Sequence, residues 1–588
     1  MMASPSLATA PRGAGPKKEK VYPVMSRREV EGLIADGKHI IIVNQYALRV
    51  DPWLQYHPGG DKAIKHMVGR DATDEVTALH SIEAREQMLR YRIGRIDHRW
   101  TNFVPPIQGG VFRPLCPDEA AKSKSAIEPE IKITSPTEHD DMRSSHASSR
   151  EPSPVFDSPV LAAGDSELRK RTVGLAATDR SNSMSSISSV GDDGLDPGLS
   201  YLNTQTREKI NIDLKAYPSL DDETQDNIVE KYRELNERIK AEGLYNCNYT
   251  AYAWEVSRYS LLFAGFLFFL HKGWYVPSSI CLGVFWHQLV FTAHDAGHMG
   301  ITHHFQVDTC IGIFIADFLG GLSIGWWKRN HNVHHIVTNS PEHDPDIEHM
   351  PFFAISHRFL LNLRSSYYER IMAYDFAAKF LLRFQAYSYY LILTLGRFNL
   401  YRLSWEFLIL GLGPKKGPAW WHRWMEMVGQ VVFWYWFGYG VLYCSIEGNW
   451  NRFVFVMISH AVTMPLHVQI TLSHFAMSSA ELGPAESFPQ KMLRTTMDVD
   501  CPQWLDFFHG GLQFQAIHHL YPRIPRHNLR NTQRLVQEFC NDVGIPYALY
   551  GFVGGNKEVI GRLAEVSRQA AIFAECQKVV SKGEMGHY

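Results

Sequence analysis

Residues 273–293 carry no formal charge, and the run ends at His294. A stretch this long and apolar can satisfy its backbone in hydrocarbon only as a helix, and about 20 such residues span a bilayer. Residues 259–270 are as apolar but short, reaching span length only with their flanks. A pair at 428–446 and 452–473 follows, joined around Glu447-Gly448-Asn449. Four transmembrane helices in two hairpins are expected. Basic residues gather elsewhere, at Lys328 and Arg329, at Arg397, Arg402, Lys415, Lys416 and Arg423, and at Arg523, Arg526, Arg530 and Arg534. An excess of Lys and Arg marks the cytosolic side. Residues 307–327 and 376–396 are also apolar, and both are expected to be re-entrant or interfacial, because a crossing at 307–327 would part His294 from the histidines beyond it.

Those histidines form three clusters. His294 and His298 are spaced i, i+4. His331-Asn332-Val333-His334-His335 puts three imidazoles on one helical face, and Gln515-Ala516-Ile517-His518-His519 repeats that spacing with Gln first. Neutral imidazole is a common ligand for borderline transition metals. With 28 His in the chain some clustering is chance. Three clusters, each beside an apolar segment, are not well explained that way.

Residues 21–100 form a small α+β domain, with Ile40-Ile41-Ile42-Val43 as a strand. His57-Pro58-Gly59-Gly60 is a tight turn whose glycines let a planar ligand approach the backbone, and a second histidine, His80, follows. His66 and His98 fit no pattern and are expected at the surface.

Together these motifs resemble known families. The turn with His57 and the later His80 resemble cytochrome b5, which implies haem b with those two histidines as axial ligands and a role in electron transfer. The three clusters, in this order, resemble the histidine boxes of membrane fatty-acyl and sphingolipid desaturases. Gln515 at the head of the third resembles the front-end branch, often fused to cytochrome b5. That resemblance implies two non-haem Fe held by His294, His298, His331, His334, His335, His518 and His519. It adds His474, at the cytosolic end of the last span, and gives Gln515 a place at the metal or at a bound water. Residues 338–349 resemble sphingolipid Δ8 desaturases more than acyl-lipid Δ5 or Δ6 enzymes, and the Ser-rich linker resembles fungal members. The implied substrates are O2 and the long-chain base of ceramide, with NADH-cytochrome b5 reductase as electron donor.

The chemistry agrees with iron. Oxidising an unactivated alkyl chain needs a strong oxidant made from O2, and zinc has no redox chemistry. A haem carrier on the same chain can supply single electrons. His460 is expected to pack, His303 and His304 fit no family position, and Asp295, Asp344 and Asp346 are candidates to orient ligating imidazoles. The alternatives are an acyl desaturase, a fatty-acid hydroxylase with similar clusters, or a membrane-anchored haem carrier.

The remaining segments complete the plan. Residues 1–20 lack an apolar core, so no cleaved signal is expected, and they are expected to be disordered. Residues 101–205 are Ser- and Pro-rich, with Ser-Pro at 135–136, 153–154 and 158–159, and bury too little apolar surface to order. Such a tether of about 100 residues spans roughly 50–60 Å, so little structural coupling between the two folded parts is expected. Within 206–250 an amphipathic helix at 221–242, capped by Ser219, is expected to lie on the membrane or pack on the catalytic domain at 251–545. Residues 546–588 are expected to extend a cytosolic helical cap on an otherwise all-α membrane domain. A net charge of −2 gives no basic field for nucleic acid. The eight scattered Cys suit a reducing compartment, here the cytosolic face of the endoplasmic reticulum.

Overall fold

The computed structural model describes residues 21–110, 112 and 197–581. The N-terminal segment 1–20 and the Ser-Pro sites lie outside the described residues.

The N-terminal domain opens with α1 (Arg27–Ala35), started by a capping box between Ser26 and Glu29. β1 (Ile40–Val43) turns into β2 (Tyr46–Arg49) through Asn44 and Gln45, both at positive φ, the conformation that matches strand twist in a two-residue hairpin. β3 (Arg92–Arg95) completes a sheet of order β1-β2-β3. Helices α2 (Asp61–Lys65), α3 (Thr73–Leu79) and α4 (Ile82–Met88) lie between β2 and β3. Successive β1 side chains face opposite ways. Ile40 and Ile42 join Val30, Ile34 and Trp100, while Ile41 and Val43 join Leu48, Met67 and Val76.

That second cluster continues out of the domain into Val333, Ile336 and Val337. The expectation of little structural coupling is therefore corrected. A tether is visible in the sequence; the surface it serves is not. His66, expected at the surface, is buried in the same seam, with Nε2 2.8 Å from Ser366 Oγ. His98 is exposed.

α5 (Pro197–Ala216) begins inside the segment assigned to the linker, so residues 197–205 are helical. α6 (Asp222–Ala241) is the amphipathic helix, and its cap is Asp221, which accepts the Thr224 N–H at 2.9 Å, rather than Ser219. Its Ile228, Tyr232, Leu235 and Ile239 pack against Phe488, Met492, Tyr521 and Phe539, so this helix lies on the catalytic domain.

α7 (Tyr249–His271) and α8 (Tyr275–Gly297) are long and apolar enough to cross a membrane. The apolar window of α7 is 11% buried and that of α8 67%, which puts α8 at the centre and α7 against lipid. α9 (Phe305–Ile313), continued to Leu319, and α10 (Ile324–Val337) pass the same test only as a pair, bent by 118°. A pair bent this sharply is either one broken span or a re-entrant segment. Gly321 makes the bend at φ +70°, where an added Cβ would lie 2.3 Å from the Phe433 ring. Along α11 (Phe376–Leu381) and α12 (Gln385–Thr394), Phe376, Phe380, Phe384, Tyr387 and Leu391 form one exposed stripe.

α13 (His422–Phe433) continues as a wider helix to Ser445, where Trp434, Tyr435, Trp436, Tyr439 and Tyr443 lower its hydropathy. α14 (Asn449–Ala461) and α15 (Met464–Phe475) together form the third strictly apolar span. Among the described residues three helices are long and apolar enough to cross a membrane, or up to four if the bent pair counts as one. The cap contains α16 (Phe488–Thr495), α17 (Gln515–Leu520), α18 (Leu529–Val543) and α19 (Phe552–Ser581). It is not purely helical as expected. β4 (Asp498–Asp500) pairs in parallel with β5 (Leu549–Gly551), fastening the C-terminal helix to the segment before α17.

Candidate haem and metal sites

His57 lies in the turn before α2, and His80 directly follows α3. Their Nδ1 atoms lie 2.7 Å from the Gly60 carbonyl and 3.2 Å from the Val76 carbonyl. Each Nδ1–H therefore donates to backbone, which fixes the tautomer. The Nε2 atoms are left facing each other at 3.5 Å, lone pair toward lone pair. Burial holds both rings neutral by lowering their pKa, that of His80 to about 3. Two opposed neutral donors fit a six-coordinate haem iron with no open position.

All eight histidines singled out above converge on a second place. His294 and His298 end α8, His331, His334 and His335 lie on α10, His474 is in the last turn of α15, and His518 and His519 are on α17. His294, His298, His331 and His518 each bring one ring nitrogen within 4.8 Å of the others, and His334, His474 and His519 form a second such group. His335 links the two: its Nε2 is 3.1 Å from His331 Nε2 and its ring stacks on His519 at 4.2 Å. Gln515 is buried at the start of α17 with its amide beside His474, although His474 Nδ1 completes no hydrogen bond.

The donor set tests whether metal fits. His298 Nε2, His335 Nδ1, His474 Nδ1, His518 Nε2 and His519 Nε2 are buried without partners. Each orphan costs about 1–3 kcal/mol, so a cluster of five is costly unless a cation takes the lone pairs. Burial, followed by the neighbouring imidazoles, holds His518 and His519 well below the ordinary histidine pKa, in the ligating form. The groups behind the rings set the tautomers. Asp344, fully buried, accepts His334 Nδ1–H at 2.9 Å and is itself held by the Asn339 N–H at 2.7 Å and the Asp346 N–H at 2.9 Å. Thr338 Oγ1 donates to the His334 carbonyl at 2.7 Å and takes the His519 Nδ1–H at 3.3 Å. These residues fit two adjacent transition-metal ions.

The other candidates separate cleanly. Asp346 Oδ2 is 3.6 Å from His331 Nδ1. Asp295 lies 4.0 Å from His294 Nδ1 and is instead engaged by Tyr252 and Arg526, so it anchors the cap rather than orienting a ligand. His460 packs, stacked on Phe398 at 4.6 Å with Nε2 3.2 Å from the Tyr401 hydroxyl. His303 bonds the Met299 and Tyr245 carbonyls, both at 2.7 Å. His304 is not in the cluster.

Two supporting residues escape sequence reading. Asn339, at φ +56°, ends α10 and donates its side-chain N–H to the carbonyls of His474 at 2.8 Å and Thr495 at 3.1 Å, tying box two to α15. Asn directly after a helix, where it tolerates positive φ, was an available signal. Asp498 accepts the Ala516 N–H at 2.9 Å and so caps the third box from a strand 18 residues away, a partnership no local motif announces.

The fatty acid desaturase family model matches residues 244–551, and that of the cytochrome b5-like heme/steroid binding domain matches residues 26–97. The chain is 62% identical to the Delta 8-(E)-sphingolipid desaturase of Emericella nidulans, over 94% of this chain and 96% of that one. It is 47% identical to the Delta 8-(E)-sphingolipid desaturase of Kluyveromyces lactis, over 95% of both. It is 34% identical to the Delta(8)-fatty-acid desaturase of Helianthus annuus, over 58% of this chain and 74% of that one.

Proposed function

The chain belongs to the fatty acid desaturase family, with a cytochrome b5-like domain ahead of the desaturase domain, and on that premise we propose that it introduces an E double bond at position 8 of the long-chain base of ceramide. The observation that carries this reading is the paired histidine cluster with its unpartnered buried nitrogens, in a chain 62% identical to a Delta 8-(E)-sphingolipid desaturase.

His294, His298, His331 and His518 would hold one iron and His334, His474 and His519 the other, with His335 between them and Gln515 at the edge. Two such irons supply the O2-derived oxidant that an unactivated methylene requires. His57 and His80 would hold haem b, which relays electrons singly from NADH-cytochrome b5 reductase. Asp344 and Thr338 keep protons on Nδ1 of His334 and His519, so that Nε2 faces inward. Burial of the rings excludes water from the reacting centre. A cavity of about 190 Å³ between α7, α8 and the start of α15, lined by Leu262, Val284, Val462 and Phe508 with Arg258, His287 and Gln288, is the candidate seat of the alkyl chain.

Four spans, with α13 and its continuation as the third, put both sites on the cytosolic face of the endoplasmic reticulum membrane. The basic clusters support that orientation. Arg397 and Arg526 weigh less in it, since both are buried in internal networks rather than lying in loops.

The test is expression in a yeast lacking such an enzyme, followed by mass spectrometry of its sphingolipids. A new E double bond at position 8 of the long-chain base is expected. Unsaturation confined to fatty acyl chains, or a hydroxylated product, would refute the reading.

A further inference from the structure

We infer that α10 is the docking strip of the haem domain and that Asn332 is the bridge across which electrons reach the second histidine box. The inference rests on the functional reading above and names the route within it.

The two faces of α10 carry different partners. Arg329, Asn332, Val333 and Ile336, spaced i, i+3, i+4 and i+7, face the N-terminal domain. His331, His334, His335 and Thr338 follow the same spacing two residues later, about 200° around the helix. The turn holding His57 rests directly on the first face. A Cβ on Gly59 would lie 2.4 Å from Asn332 Nδ2, and one on Gly60 3.0 Å from Arg329 Cγ, so a side chain at either place would push Asn332 or Arg329 aside, and Gly60 sits at φ +84° besides. Asn332 is also bonded along the chain to His331. From the His57 turn to a box-two histidine is therefore one through-space contact and one peptide, across a helix roughly 10 Å in diameter.

The seam around that contact is specific. Lys62 Nζ lies 3.2 Å from the Ser366 carbonyl and pairs with Glu369. Ser366 Oγ stands between His66 Nε2 at 2.8 Å and His343 Nδ1 at 2.9 Å. Asp61 meets Arg329 at 3.4 Å, Asp74 meets Arg233 at 2.8 Å, and Val333, Ile336 and Val337 complete the apolar cluster of the domain. Such a seam fixes one pose. Each crossing moves one electron, oxidising ferrous haem to ferric and reducing the histidine-held iron by one. Two crossings with two protons from solvent supply the share of O2 reduction to water that the substrate does not.

The test uses the purified full chain and a zero-length carbodiimide, which condenses the Lys62 amine with the Glu369 carboxylate, losing water. Mass spectrometry should find that linked peptide. The linked protein, its haem reduced beforehand with dithionite, should reoxidise haem on adding O2 and ceramide at the rate of unlinked protein. Asn332→Leu should keep the link and the haem spectrum but slow reoxidation at least about tenfold. Lys62→Glu should slow it too, and adding Glu369→Lys should restore it. Absence of the Lys62–Glu369 link, slow reoxidation in the linked chain alone, an Asn332→Leu variant at the wild-type rate, or no rescue by the charge swap would each overturn the inference. No ceramide-dependent reoxidation in the unmodified chain would instead overturn the functional reading, and the electron route with it.

Discussion

Asp344 receives the Nδ1 proton of His334 at 2.9 Å, and this bond decides which nitrogen of that ring faces the histidine cluster. Asp344→Asn keeps the shape but can present its NH2 to that nitrogen, leaving the tautomer unset. Partners of this kind typically contribute 10–100-fold in metal affinity, so iron retention against a chelator should fall by about that factor. The haem spectrum should not change. Unaltered iron retention would assign Asp344 a purely structural place.

His57→Ala and His80→Ala should each abolish the haem absorbance and most desaturation while non-haem iron stays bound, because the two sites lie on opposite sides of α10. The assay must lack added soluble cytochrome b5. Turnover near the wild-type level in either variant would contradict the relay.

Docking of the haem domain should depend on pH through His66. Burial, then the neighbouring charges of His343, Lys62 and Lys491, hold its pKa at about 3 against an ordinary 6.5. The docked state therefore binds no proton there, while a water-exposed His66 does below 6.5. Docking is at full strength above that value and weakens as pH falls from 6.5 toward 3, by up to about tenfold per unit. Energy transfer between dyes on the two domains should fall between about pH 7.5 and 5.5, and His66→Gln should flatten the profile. A wild-type profile as flat as that of the variant would count against it.

Gln515→His should cost at least about tenfold in turnover, roughly 1.4 kcal/mol of barrier, with both irons retained. The amide oxygen is a weaker iron ligand than imidazole, and its NH2 can hold a water or an oxygen species. A ninth imidazole would occupy space that oxygen needs. Normal turnover in Gln515→His would show that the residue only packs.

The convergence of the histidines was legible because helical spacing is local: His331, His334 and His335 declare a shared face in five letters, as does the turn at His57. The break in the apolar run at 307–327 was expected for a related reason, since the first two histidine clusters converge only if they lie on one side. Long-range partnerships were not. Nothing near His66 announces Ser366, and nothing near Val333 says that it completes the core of a domain some 300 residues earlier. The cap of α6 went to Asp221 rather than Ser219 because both residue types cap helices and only the backbone geometry chooses. The parallel pairing of β4 with β5 uses segments too short to carry strand periodicity.

Eight histidines, with Gln515 at their edge, are proposed to hold two irons beside a bis-histidine haem. Metal analysis of the purified full chain tests it most directly. Three irons per chain are expected, one extracted with the haem and two remaining, with the two lost in a combined His334→Ala, His335→Ala and His518→Ala variant that keeps its haem. Non-haem iron near zero, or zinc at stoichiometric level in its place, would contradict it.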